Sequence, residues 1–134
     1  MPLVRIDVNQ GRGTEELRGL SQGIHDAIVA EYGIPERDYF HIVTEYPRGQ
    51  IVAQDAGLGF ERTPDVVMIQ IFTQSGRSQQ AKQSLFSAIA MALGKVGVAG
   101  EDVFIGYVEN SAGDWSFGFG RAQYVTGELA APQK

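Results

Sequence analysis

Two stretches decide the fold: LVRIDVNQGRGTEELRG at residues 3–19 and VMIQIFTQSGRSQQAKQ at residues 67–83. At a shift of 64 residues they share punctuation more than identity: Leu3 falls on Val67, Val8 on Phe72, Gln10 on Gln74, Thr14 on Ser78 and Arg18 on Lys82. The same shift, with no gap, brings Gly33 onto Gly97, Ile34 onto Val98, Asp38 onto Asp102, Phe40 onto Phe104 and Glu45 onto Glu109. A unit of this size is too long for a solenoid repeat and suits a duplicated βαβ module.

Each half reads alike. Residues 3–8 and 66–73 are β-rich runs, the second almost wholly apolar, as a strand buried on both faces would be. Thr14 and Ser78 are placed as helix N-caps, with Glu15 and Glu16 in the first turn of the first helix. Leu17, Leu20, Ile24, Ala27 and Ile28 recur at helical spacing, as do Ala81, Leu85, Ala88, Ile89, Ala92 and Leu93. Gly33 and Gly97 stand where C-terminal caps belong, and further strands follow at 39–45 and 103–109. A helix crossing between parallel strands makes a right-handed βαβ unit.

Between the halves, TEYPRGQIVAQDAGLGFERTPD (44–65) reads as a Gly- and Pro-rich loop with a short strand near Ile51 and Val52. The last stretch, with aromatic residues separated by glycines, reads as a hairpin or arm over 111–134. The chain is therefore expected to be one α/β (α+β) domain, 1–134, with a pseudo-repeat of 2–46 and 66–110. Two helices on one face of one sheet leave the other face bare, which implies packing against further copies.

Composition narrows the function classes. With 134 residues the chain can bury a core unaided, and 43% hydrophobic and 20% charged residues are ordinary for a globular domain. There are no cysteines and two histidines, so neither a disulfide framework nor a transition-metal site is expected. A net charge of -5 without a basic cluster argues against nucleic acid and anionic membranes as partners. No signal-peptide pattern or long apolar span appears, so the expected address is the cytoplasm. DAGLGF (55–60) lacks the spacing of a phosphate loop.

A few residues carry chemistry. MPLVRIDV (1–8) begins a strand-like run with Pro2. Proline can simply open a strand, because the first residue need not donate to the ladder. Removal of Met1 would instead leave Pro2 a free secondary amine; an α-amine has a reference pKa of about 7.7–8.0, so modest shifts decide whether it is acid, base or nucleophile. Asp38, after IPER, is placed to cap a turn before a strand, and Asp102 has the same ordinary use. Arg77, in SGRS, lies at the start of the second helix, where guanidinium and helix dipole together suit a carboxylate, with Thr73 and Gln74 near enough to add hydrogen bonds. Arg12, in the first half, reads as solvated surface, and His25 and His41 as structural residues. Trp115, Phe117 and Phe119 are by default core or interface residues.

A proline immediately after Met1, joined to a duplicated strand–helix–strand module, resembles the tautomerase superfamily. Within it the chain is similar to the malonate semialdehyde decarboxylase branch. The matching stretches are PLVRID, IPERD, DAGLGF, FTQSGR, GVAGEDVFI, ENSAGDWSFGFG and YVTGEL, which together span nearly the whole chain, DWSFGFG being specific to that branch. The resemblance implies a homotrimer in which Pro2 is catalytic, Asp38 lies near it and activates water, and Arg77 binds carboxylate. Part of the family has two arginines close together before the second helix; here Arg77 stands alone with Gln74 nearby, as in a second branch. The resemblance also makes Trp115 and Phe117 pocket walls, completed by Tyr124 and Leu129.

The implied activity is decarboxylation of a small 3-oxo acid, malonate semialdehyde, to acetaldehyde and carbon dioxide, with no cofactor. Protonated Pro2 would stabilise the developing enolate, or neutral Pro2 would form an iminium with the aldehyde; the sequence leaves both open. The rival readings are tautomerisation of a 2-oxo acid or hydration of an unsaturated acid by the same proline, and, outside enzymes, an oligomeric binding domain whose proline is incidental.

Overall fold

The structure, a computed structural model, describes residues 2–130. Met1, whose removal is expected above, and residues 131–134 of the C-terminal arm lie outside the described residues. In chain order come β1 (Pro2–Asn9), α1 (Thr14–Tyr32), β2 (Phe40–Tyr46), β3 (Val67–Gln74), α2 (Gln79–Gly94), β4 (Val103–Asn110) and a single-turn helix α3 (Gln123–Thr126). The strands form one sheet in the order β2-β1-β3-β4. β1 runs parallel to β2 and β3 parallel to β4, while the central pair β1 and β3 is antiparallel, with Ile6 opposite Ile69. The result is a mixed α+β fold of two strand–helix–strand units sharing one sheet.

Strand alternation sets the core. Val4, Ile6 and Val8 of β1 and Val67, Ile69 and Ile71 of β3 point to one face. They are fully buried there with Leu20, Ile24 and Ile28 of α1 and Leu85, Ile89 and Leu93 of α2. Each such side chain contributes on the order of 1.5–3 kcal/mol by leaving water. Across the sheet, Phe40, Ile42, Phe104 and Val108 remain 42–47% exposed. No helix among the described residues is long and apolar enough to cross a membrane.

The repeat needs a correction of one residue in its strands. β1 and β3 share their burial alternation from Pro2 and Val67 onward, so Val4 corresponds to Ile69, a shift of 65. The 64-residue alignment sets outward Leu3 on inward Val67, because a one-residue slip exchanges the faces of a strand. The shift of 64 does hold for β2 and β4, where Phe40 is paired with Leu3 and Phe104 with Met68.

Other local expectations change too. Ser78 caps α2 by accepting a hydrogen bond from the Ala81 amide at 3.1 Å. At α1 the cap is Gly13, with Thr14 the first helical residue, because the Glu16 carboxylate reaches back to accept from the Gly13 amide at 3.1 Å. Gly33 ends α1 in the left-handed region at φ 65°. Gly97, at φ 90°, lies beyond the α2 cap at Lys95 and serves the turn whose Val98 amide bonds the Leu93 carbonyl.

Ile51 and Val52 form no strand. Side chains organise that connection instead: Asp55 accepts from the Gly57 and Gly59 amides, and Arg62 donates to the Gln54 and Glu101 carbonyls. Buried Asp102 accepts from the Thr63 amide at 2.7 Å and from its hydroxyl at 2.5 Å. The arm is no regular hairpin: a 3-10 turn at Ala112–Asp114 leads to one bridge between Gly118 and Arg121 and then to α3.

Polar groups also enter the layer between α1 and β2. The Ser21 hydroxyl lies 2.8 Å from both the Tyr39 hydroxyl and His41 Nδ1. Burial pushes His41 down to about 4, with neighbouring His25 adding to the shift. His41 is therefore neutral at pH 7, and the single Ser21 proton serves one of its two contacts while the Ser21 oxygen accepts in the other. An imidazole that protonates near 6.5 when unfolded but near 4 when folded gives stability that is complete above pH 6.5 and is lost as pH falls towards 4. The expected loss is about 1–3 kcal/mol after allowance for partial solvent access. Thermal melts of the wild type and His41→Gln between pH 7 and pH 4 should converge at the acid end; parallel curves would show that His41 does not carry this dependence.

Candidate functional site

The antiparallel centre of the sheet gathers several ends at one place. Pro2 opens β1 opposite Thr73 near the end of β3, Gln74 pairs with Asn110 at the end of β4, and Leu3 lies beside Phe40 at the start of β2. Pro2 is buried. It belongs to an inner strand, where the first position is one that tolerates a missing N–H.

Arg77 arrives from the second unit. Gly76, at φ 124°, turns the chain out of β3, and Arg77 then immediately precedes the Ser78 cap of α2. Its Nη1 donates to the Thr73 hydroxyl at 3.3 Å, and its guanidinium stacks over the Tyr32 ring at 4.0 Å. Thr73 and Gln74 are both buried beside it. The Tyr32 hydroxyl lies 3.1 Å from that of Tyr107. Burial, reinforced by Tyr107, holds the Tyr32 phenol well above its ordinary range, so it offers Arg77 a neutral aromatic face. Lys82 stands over the Tyr107 ring and pairs with Glu109 at 3.1 Å.

Asp38 comes from the first unit. After Gly33 ends α1, Pro35 opens a turn closed by the Asp38 amide donating to the Pro35 carbonyl at 3.0 Å. The half-buried carboxyl is pushed up by desolvation, against the opposing pull of the chain's amino terminus, His25 and Arg77. Tyr124 feels the same charges: burial and then Asp38 push it up to about 12, while Arg77 opposes. Carboxyl, guanidinium and the arm's phenol therefore share one electrostatic neighbourhood at the Pro2 end of the sheet.

The arm forms the wall. Trp115 donates its indole N–H to Asn110 Oδ1 at 2.9 Å. Phe117 packs edge-on to Trp115 and Tyr124, at ring separations of 6.4 and 5.2 Å, and lies 5.9 Å from Phe40. Buried Gln123 pins this turn, accepting from the Phe117 amide and donating to the Gly118 carbonyl, both at 2.9 Å. Leu129 folds back with its amide on the Gln123 carbonyl and stays partly exposed, while Phe119 points to solvent.

The structure thus brings together Pro2, Asp38, Thr73, Gln74, Arg77, Trp115, Phe117 and Tyr124. Sequence reasoning missed Tyr32, Gln123 and Asn110. Tyr32 carried no motif, and the other two are polar residues whose partners appear only when the arm folds. Chemically, the site joins a buried proline, a carboxyl poised between burial and nearby positive charge, and a guanidinium beside a helix N-terminus under an aromatic wall. That combination suits a small carboxylate.

Two family models described as tautomerase enzyme match the chain, over residues 38–118 and 2–61. A probable tautomerase of Bacillus subtilis is 37% identical over 96% of this chain and 100% of its own length. Among solved structures, FG41 malonate semialdehyde decarboxylase inhibited by 3-bromopropiolate is 53% identical, with a TM-score of 0.95, covering 97% of this chain and 99% of that one. A second malonate semialdehyde decarboxylase is 34% identical, with a TM-score of 0.91, over 96% of this chain and 99% of that one.

Gln123 supplies a test of how the wall is held. Gln123→Ala strands a buried amide and carbonyl, which should cost about 1–3 kcal/mol confined to the arm. Hydrogen exchange measured by mass spectrometry should quicken over residues 115–126 and stay unchanged in β1 and β3. Equal protection of the arm in both proteins would show that Gln123 does not hold it.

Proposed function

The chain belongs to the tautomerase family, and within it we propose a cofactor-independent decarboxylase that converts malonate semialdehyde to acetaldehyde and carbon dioxide. The observation that carries this reading is the meeting of Pro2, Asp38 and Arg77 at one end of the sheet, in a chain 53% identical to a malonate semialdehyde decarboxylase. Once Met1 is removed, Pro2 carries the terminal amine, and the neighbouring Asp38 carboxylate favours its protonated form.

Arg77 holds the substrate carboxylate, assisted by Thr73, Gln74 and the N-terminus of α2. The Pro2 ammonium donates a hydrogen bond to the aldehyde oxygen. The bond between the carboxyl carbon and its neighbour then breaks, and its electron pair passes into an enolate whose oxygen the ammonium stabilises. Carbon dioxide leaves, and a proton returned to the enolate carbon gives acetaldehyde. Trp115, Phe117, Tyr124 and Leu129 shield the leaving carboxylate from water. A homotrimer burying the apolar outer sheet face is part of the same proposal; light scattering should give three times the 14.6 kDa chain mass, and a monomer at micromolar concentration would overturn it.

The probable tautomerase among the relatives favours a second reading, in which neutral Pro2 takes a proton from a 2-oxo acid. The two need opposite protonation states. Decarboxylation should fall as pH rises through the pKa of the Pro2 amine, whereas base-catalysed tautomerisation should rise. Borohydride trapping of a covalent adduct during turnover would replace the hydrogen-bond route by an iminium route.

Arg77→Ala should raise the barrier by about 2–5 kcal/mol through loss of the carboxylate contact while the protein stays folded. Near wild-type turnover would place the carboxylate elsewhere. A chain verified by mass spectrometry to retain Met1 offers a tertiary amide at Pro2 and should be inactive with an unchanged melting temperature; full activity would remove proline from the mechanism.

A further inference from the structure

We infer that His25 is a positioning residue, which grips the Glu36–Tyr39 segment from α1 and thereby sets the place of the Asp38 carboxyl. The inference rests on the proposed role of Asp38. His25 is 2% exposed on the inner side of α1. Its Nε2 lies 2.9 Å from the Glu36 carbonyl, and its ring stacks on Tyr39 with centroids 3.8 Å apart and planes 19° from parallel. Both contacts fall on residues flanking Asp38, one on each side. A carbonyl only accepts, so the proton of His25 sits on Nε2. Nδ1 is then buried with no hydrogen-bond partner among the described residues.

For packing alone this is a poor choice, since an aliphatic side chain would fill the space without a stranded ring nitrogen. The second unit makes that comparison within the same chain. Following the helix and strand correspondences, Ser21, His25, Tyr39 and His41 match Phe86, Ala90, Val103 and Ile105. All four matching positions of the second unit are apolar. The fold does not need the polar cluster; it occurs in the unit that presents Asp38 to Pro2. Tyr39 ties the cluster together, stacking on His25 and meeting His41 edge-on at 4.6 Å while sharing Ser21 with it.

The test compares His25→Leu, which fills the space without a donor, with His25→Gln, whose amide N–H reaches much as Nε2 does. Three quantities are read: melting temperature, kcat and KM with malonate semialdehyde, and the Asp38 carboxyl titration by carbon-13 NMR. A misplaced catalytic group lowers rate more than binding, so His25→Leu should lose about tenfold or more in kcat with KM nearly unchanged. Its Asp38 titration midpoint should differ from that of the wild type, because a carboxyl released from its place changes its burial and its distance to Arg77. His25→Gln should recover most of the rate. Wild-type kcat and an unchanged Asp38 titration in His25→Leu would overturn the inference, as would a glutamine variant no better than leucine. Should His25→Leu fail to fold, His25→Gln at wild-type kcat supports the inference, and at the tenfold loss overturns it. The NMR measurement stands even if the wild type does not turn over this substrate, which separates failure of the inference from failure of the proposed reaction.

Discussion

The antiparallel pairing of β1 with β3 is the constraint on which the rest depends. Because each unit is parallel within itself, only the central pair can bring the first residue of one unit beside the last residues of a strand in the other, and Pro2 stands opposite Thr73 for that reason. The same pairing sends Arg77, four residues beyond Thr73, to the Pro2 end from the second unit. It also brings the chain leaving β4 at Asn110 to that end, where it becomes the aromatic wall. Apolar burial at Val4, Ile6, Ile69 and Ile71 fixes this register, since a slip of one residue would turn those side chains out of the core.

Electrostatics at that end follows from opposing terms. Burial drives the Asp38 carboxyl towards neutrality, while the amino terminus, His25 and Arg77 draw it towards charge. Such a balance leaves a carboxyl responsive to what enters the site. Arg77 is held differently, with Tyr32 beneath its plane and the Thr73 hydroxyl at one nitrogen. The long phenol–phenol contact to Tyr107 extends the support to β4, so the guanidinium is located by three separate elements.

Periodicity and punctuation made most of this fold legible. Ser78, Gly33 and Pro35 act through local geometry, and their helix ends can be read from a few neighbouring residues. The strand register of the repeat could not be read so easily, because β3 is almost wholly apolar and alternation leaves little trace in such a run. Thr14 lost its cap to Gly13 because Glu16 satisfied the amide without a cap side chain. At the site, Pro2, Asp38 and Arg77 announce themselves by residue type beside turns and ends. Tyr32 and Gln123 do not: their partners, Arg77 and the turn at Phe117 and Gly118, are set by the folded arm and the sheet.

The two ends of the sheet show how one module gives two outcomes. Each unit carries an aspartate just ahead of its second strand, Asp38 before β2 and Asp102 before β4. At the far end the chain runs continuously through Thr63 and Asp65 into β3. Asp102 instead accepts the amide and hydroxyl of Thr63 and closes the connection between units. At the near end Pro2 opens β1, and the equivalent carboxyl is pushed up by burial against the pull of nearby positive charge, Arg77 included. The difference in chemistry comes from what each carboxyl meets: a backbone amide and a hydroxyl make one of them a structural link, while at the other end burial and neighbouring charge pull in opposite directions.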